Sequence, residues 1–355
     1  LRNATPATVS RGGVLFINDN DIGWQPYVNS WMDQFKKSGK NEDEIVRTVF
    51  DICFRNYVSE NFLDNMKTEE TIAPMVPISY IQSLTTIIDY LYLTMKQSKE
   101  KMELIRKLKG ENEDQLKIIY ETMFIFAFMW SFGAVLPEDG KVKFSNSLKS
   151  NIKSIKFPDS KDLCFQFHYD MLEGKWVNWS SSVDHYRYSE GELFESIVVP
   201  TTETVKNKFL IDLHVGRGKP ILFVGTAGTA KTTYIKDFFR DVDKEKIRTA
   251  SINFNSYTDS LSLQQIMESN VDKRFGKNYG PPPNTQLIYF MDDLNMPRVD
   301  KYGAQSPIAL LRQIIDFNGL LYNRSALEEK KYLVDCLFTG CMNQKSGSFY
   351  VDSRL

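Results

Sequence analysis

The chain has 355 residues, with 44 Lys and Arg against 45 Asp and Glu, a net charge of -1. That balance excludes a basic nucleic-acid footprint or a polybasic membrane patch as the main theme. At 42% hydrophobic and 25% charged residues the composition is that of a folded globular protein, and at roughly 100–200 residues per domain the length predicts two or three domains.

From the N-terminus, Val14-Leu15-Phe16-Ile17 reads as a short strand after an Arg11-Gly12-Gly13 turn. Trp24, Tyr27, Val28 and Trp31 recur at helical spacing, with Pro26 suited to a first turn. A second helical pattern runs through Ile45, Val49, Ile52, Cys53 and Tyr57, then Phe62-Leu63. A third follows Pro77 through Ile81, Leu84, Ile87, Ile88, Leu91 and Met95. The charged run 97–114 reads as a solvated loop or helix end. The apolar stretch 123–136 is too short for a membrane span, which needs about 20 residues, so it is expected to be a helix buried in a bundle. Residues 1–136 are thus predicted to be chiefly helical.

Residues 137–195 are punctuated by Pro137, Gly140, Pro158, Gly174 and Gly191 and rich in aromatics, which predicts an irregular connector packed on its neighbours. Trp176 and Trp179 read as packing anchors, and His168 and His185 as structural. Four scattered cysteines, 53, 164, 336 and 341, make no disulfide framework and predict buried thiols in a reducing, intracellular setting. The opening residues carry no targeting signal and no initiator Met, as though cut from a longer chain.

From 196 to 355 strands and helices alternate, which predicts a parallel α/β sheet. Strands are expected at 221–224, 247–254, 287–291 and 333–342. Helices are expected after Thr201 or Thr202, at 231–240, at 260–272 and at 307–317. The first strand runs into Gly225-Thr226-Ala227-Gly228-Thr229-Ala230-Lys231-Thr232-Thr233, a phosphate-loop pattern in which Ala230 replaces a glycine. Gly225 and Gly228 permit the tight turn that aims N–H groups at phosphate oxygens, and the following helix adds its positive end. Lys231 would then reach the β- and γ-phosphates and Thr232 would hold Mg²⁺. The methyl of Ala230 predicts some weakening of binding.

The strand 287–291 ends in Asp292-Asp293, at the edge where open α/β sheets bind ligands. Asp292 is assigned to Mg²⁺ through water, and Asp293 to the general base, one methylene shorter than Glu. Asn343, ending the next strand, would contact the attacking water or the γ-phosphate.

The phosphate loop with Asp292-Asp293-Leu294-Asn295-Met296-Pro297, Tyr302-Gly303-Ala304-Gln305 and Arg312-Gln313 resembles axonemal dynein heavy chains. The opening 4–13 resembles the same family's second AAA+ module, and Asn278-Tyr279-Gly280-Pro281-Pro282 with Gly347-Ser348-Phe349 resembles outer-arm chains. The resemblance implies a P-loop AAA+ large subdomain at 196–355, the third module, truncated at its C-terminus. Residues 1–136 would be the end of the second module, mainly its helical small subdomain, with 137–195 as connector. It implies ATP or ADP with Mg²⁺ as ligands, adenine contacts at Val199 and Pro200, and at Arg11 a trans arginine finger or, as the alternative, a structural guanidinium pairing. The implied function is a regulatory nucleotide site with slow or no hydrolysis in a ciliary or flagellar motor ring, the alternative being a purely structural, nucleotide-held spacer. Implied partners are the other modules of the same heavy chain, with intermediate chains, light chains and microtubules reached through other parts, and neither nucleic acid nor membrane. The implied location is cytoplasmic, in the cytoskeleton of the axoneme. A stand-alone P-loop kinase lacks its acceptor-site signature here.

Overall fold

The computed structural model describes residues 23–36, 41–58, 84–91, 113–152, 154–158, 161–170, 173–186, 197–326 and 328–343. The strand expected at 14–17, Arg11, and most of the charged run lie outside the described residues.

Helices α1 (Gln25–Lys36), α2 (Asn41–Cys53, continued by a π turn over Phe54–Val58), α3 (84–91) and α4 (Glu113–Phe128, continued by a π turn over Met129–Gly133) build the first core. On α2 the buried stripe is Val46, Val49, Phe50, Cys53 and Phe54. Ile52, expected on that stripe, is 51% exposed, because a step of six from Val46 lands on the opposite face of a 3.6-residue helix. The apolar run in α4 is buried within the protein, with Phe124, Ile125 and Phe128 fully covered. Phe124 stands in an aromatic cluster, edge-on to Phe54 at 4.8 Å and within 6.5 Å of Phe50, Tyr57 and Phe128.

The stretch read as irregular contains a regular helix, α5 (Glu138–Asn151), opened by two acids in its first turn. Its Phe144 and Leu148 join the same core as α2 and α4. A hairpin of β1 (Phe167–Asp170) and β2 (Lys175–Asn178) follows, antiparallel. Trp179 is 2% exposed and donates its indole N–H to the Phe165 carbonyl at 3.2 Å, while Trp176 stacks on Phe157 at 5.5 Å, so both act as packing anchors. His168 lies against the Trp179 ring at 4.4 Å, whereas His185 is exposed.

Helix α6 (Thr202–Arg217) is opened by Thr201 in a reciprocal capping box with Thr204. It carries two apolar faces: Leu210 and Leu213 pack with the helical core, Ile211 and Val215 with the sheet. After Gly218 the chain enters the main sheet of β3 (Ile221–Gly225), β4 (Ile247–Asn253), β7 (Gln286–Asp292) and β10 (Cys336–Asn343). The order is β3-β10-β7-β4 and every pairing is parallel. Alternation along β7 divides its side chains: Leu287, Tyr289 and Met291 face α8 (Ser260–Ser269) and α9 (Ser306–Asp316), while Ile288 packs with α6 and α7 (Lys231–Asp241) and Phe290 against Ile235 of α7.

A second small sheet, absent from the expected elements, has the order β5-β6-β9-β8, from β5 (Asp272–Lys273), β6 (Asn278–Gly280), β8 (Leu320–Tyr322) and β9 (Lys330–Leu333). The run 333–342 read as one strand is therefore two. Asp335, at φ 55°, turns the chain between β9 and β10, and Arg274 holds its carboxylate. Gly319 serves the turn from α9 into β8 at φ 88°, and a Cβ there would stand 2.1 Å from the Leu333 carbonyl oxygen. Gly319→Ala is expected to cost roughly 2–3 kcal/mol, a left-handed penalty plus a displaced backbone hydrogen bond. Faster amide exchange confined to β8 and β9 would register it; unchanged exchange there would contradict it.

Candidate functional site

The parallel pairings bring four strand ends to one edge. Asn343 stands beside Gly225, and Asn253 beside Asp292. The phosphate loop leaves β3 there, with residues 226–230 exposed, and feeds α7. Gly228 has φ 81°, and a Cβ there would meet nothing within 4 Å. Ala230 is the N-cap of α7 in the left-handed region, φ 60° and ψ 20°. The alanine thus keeps the backbone of the glycine it replaces, at a strain of roughly 1–2 kcal/mol. It caps no N–H with its side chain, and the first turn of α7 holds no acid, so the helix start presents its donors to an anion.

Ala230→Gly should therefore stabilise this loop by up to about 1 kcal/mol, strain relief partly offset by glycine's entropy. Slower amide exchange across 225–232 is the expected readout, and exchange as fast as before or faster would contradict it.

Lys231 spans the neck of the loop. Its ammonium donates to Thr226 O at 2.7 Å, to Gly225 O at 3.2 Å and to Asn343 Oδ1 at 3.3 Å. Thr232 Oγ1 lies 3.2 and 3.1 Å from the two carboxylate oxygens of Asp292. A hydroxyl and a carboxylate on one spot are a donor set suited to Mg²⁺, which Thr232 would ligate and Asp292 would hold through water. The bound ion would neutralise charge on the β- and γ-phosphates.

Asp293 turns at φ 54° just beyond Asp292. Partial desolvation, then the Asp292 carboxylate, raise its pKa above the ordinary carboxylate value, and Lys231 pulls the other way. Val199 and Pro200 lie in the irregular segment ahead of α6, with Val199 54% exposed; the side-chain hydrogen bonds from Lys231 and Thr232 to other elements run to Asn343 and Asp292. Arg11 falls outside the described residues. Among these residues, Lys231 is hydrogen-bonded to Asn343 and Thr232 to Asp292.

Two residues escaped the sequence reading. Cys341, taken as a buried thiol without chemistry, is buried but hydrogen-bonds the Asp292 carboxylate at 2.6 Å. Asn295, 4% exposed, donates to the Asn343 carbonyl at 3.0 Å and ties the loop after Asp293 to the end of β10. The signal for Cys341 was strand periodicity: two residues before Asn343, it shares that residue's face. Gln305 supports the same loop from below, donating to Pro297 O at 2.7 Å. A separate cavity of about 380 Å³ opens at the other end of the sheet, among Val242, Lys244, Arg248 and Asn270, and shares no residue with this site.

Strand order, phosphate loop and acidic strand end define a P-loop α/β module joined to a helical bundle. Residues 186–355 match the family described as P-loop containing dynein motor region, and residues 47–181 match the dynein heavy chain AAA lid domain. The chain is 34% identical over its whole length to dynein axonemal heavy chain 11 of Sus scrofa and 35% to dynein axonemal heavy chain 17 of Mus musculus. It is 33% identical, over 99% of its length, to the dynein beta chain, flagellar outer arm, of Chlamydomonas reinhardtii. The chain belongs to the dynein heavy chain family. It spans 7–8% of the length of these relatives.

Proposed function

We propose that this segment holds a regulatory nucleotide site of a ciliary or flagellar dynein motor ring, binding ATP or ADP with Mg²⁺ and hydrolysing slowly or not at all. On this reading 196–355 is the large subdomain of the ring's third AAA+ module, and 1–136 closes the second. The other modules of the same heavy chain are its direct partners, while microtubules, intermediate chains and light chains engage other parts. The observation that carries the reading is the Lys231 ammonium bridging the phosphate loop and Asn343, beside Thr232 on Asp292. Asp293, short and set in a left-handed turn, supports binding ahead of turnover.

Single-turnover ATP hydrolysis in the intact ring, comparing the unsubstituted protein with Asp293→Asn, tests it. A well-placed base contributes roughly 10²–10⁴-fold, so a fall of that order makes Asp293 the base of a slow ATPase. No difference would favour the alternative, a nucleotide-held spacer.

The pH dependence has a definite sign. With its pKa raised, Asp293 loses its charge, and any base function, at a higher pH than an ordinary carboxylate as pH falls. Its contribution to stability runs the other way: it is fully present below the unfolded pKa and is lost as pH rises through the folded one. Asp293→Asn should therefore make the loop more resistant to unfolding at neutral pH while removing the base. A variant less stable than the unsubstituted protein at pH 7 would contradict this.

A further inference from the structure

The loop that leaves β7 is fastened to β10 by one residue in two places. Cys341 O accepts the Leu294 N–H at 3.1 Å, and Cys341 Sγ donates to Asp292 Oδ1 at 2.6 Å. The turn between these two points is the one strained at Asp293. Asp292 Oδ1 also accepts the Asp293 N–H at 3.0 Å. The Thr232 hydroxyl is within reach of this same Oδ1, at 3.2 Å, and stands 3.6 Å from Cys341 Sγ. Oδ2, 3.1 Å from the Thr232 hydroxyl, takes no bond from the thiol or the Asp293 amide, so those two contacts on Oδ1 fix how the carboxylate is turned toward Thr232. Cys341 is 1% exposed, with Ile235 and Phe290 around it, so its S–H is confined to the Asp292 carboxylate and the neighbouring Thr232 hydroxyl.

We propose that Cys341 is a positioning residue of the metal–nucleotide site: its S–H holds the Asp292 carboxylate in the orientation that sets it against Thr232, where it would hold the Mg²⁺ water. The inference rests on the nucleotide-site reading above. It concerns how strongly bound nucleotide depends on Mg²⁺, since an aspartate free to rotate offers the ion a less ordered partner. Losing an outer-shell partner of this kind typically costs roughly 10–100-fold in metal affinity.

The test separates the hydrogen bond from packing. Cys341→Val approximates the volume and removes the donor, whereas Cys341→Ser keeps a donor in a smaller side chain. Nucleotide bound to the complete heavy chain is measured across graded Mg²⁺ and in EDTA, with the Lys231→Ala heavy chain subtracted to isolate this site. The expected result is that Cys341→Val needs on the order of 10-fold more Mg²⁺ for half-maximal binding, and that Cys341→Ser stays close to the unsubstituted protein. Binding in EDTA reports whether the phosphate loop itself is intact in each variant. A valine variant with the unsubstituted Mg²⁺ requirement, or a serine variant impaired as much as valine, overturns the inference while the nucleotide site stands. If the unsubstituted chain and Lys231→Ala bind equally at all Mg²⁺ concentrations, the reading of the site fails and the inference falls with it.

Discussion

Lys231→Ala empties this site of nucleotide while the helical half stays folded. The lysine has two tasks that no neighbour can assume. Its ammonium braces the loop through Gly225 O and Thr226 O and reaches Asn343 on the adjoining strand. On the proposed reading it would also supply the mobile cation for the polyphosphate, alongside the backbone amides of the loop. Hydrogen bonds to charged groups are worth about 1.5–3 kcal/mol each, so losing one or two predicts roughly 3–4 kcal/mol, or about 10²–10³-fold in affinity. The Ala230 strain is smaller than this, and no repair of the loop backbone should compensate. The measurement is a high-resolution density map of the variant ring at an ATP concentration that just fills the unsubstituted site. Nucleotide still seated between the loop and Asp292 would refute the assignment of Lys231.

Phe124→Ala is the second large effect, and it acts on folding. The ring is fully buried and in contact with aromatic side chains from α2, its π turn and α4 itself. Truncating a buried Phe typically costs 3–5 kcal/mol, a large fraction of the 5–15 kcal/mol that holds a domain together. Protease digestion should cut first within α2 and α4 in the variant. Digestion no faster than in the unsubstituted protein would mean that the cluster relaxes around the hole.

Much of the site was legible before any fold was available. Gly225, Gly228, Lys231 and Thr232 announce themselves by spacing, and Asp292 by ending an apolar strand, because backbone turn geometry and ligand-facing strand ends leave local marks. Cys341 and Asn295 were missed because their roles exist only when β10 and β7 lie side by side. The parallel sheet followed from alternating strands and helices. The β5-β6-β9-β8 sheet did not: its strands are two to four residues long, too short for a period of two to register, and the β6–β9 pairing that unites its two local pairs joins segments far apart in the chain. Helix α5 was hidden by the glycine and proline near its start, which read as loop punctuation although Pro137 is in fact its N-cap. Ile52 shows the limit of counting apolar residues without phasing them.

Helix α6 has a consequence for how the molecule comes apart. It is a party wall, with Leu210 and Leu213 furnishing one room and Ile211 and Val215 the next, and it runs through Gly218 directly into the strand that carries the phosphate loop. Neither room can be vacated without stripping one side of the wall. Damage in the aromatic bundle therefore travels to the nucleotide mouth by loss of shared backing, and ligand gripped at that mouth shores up helices that never touch it.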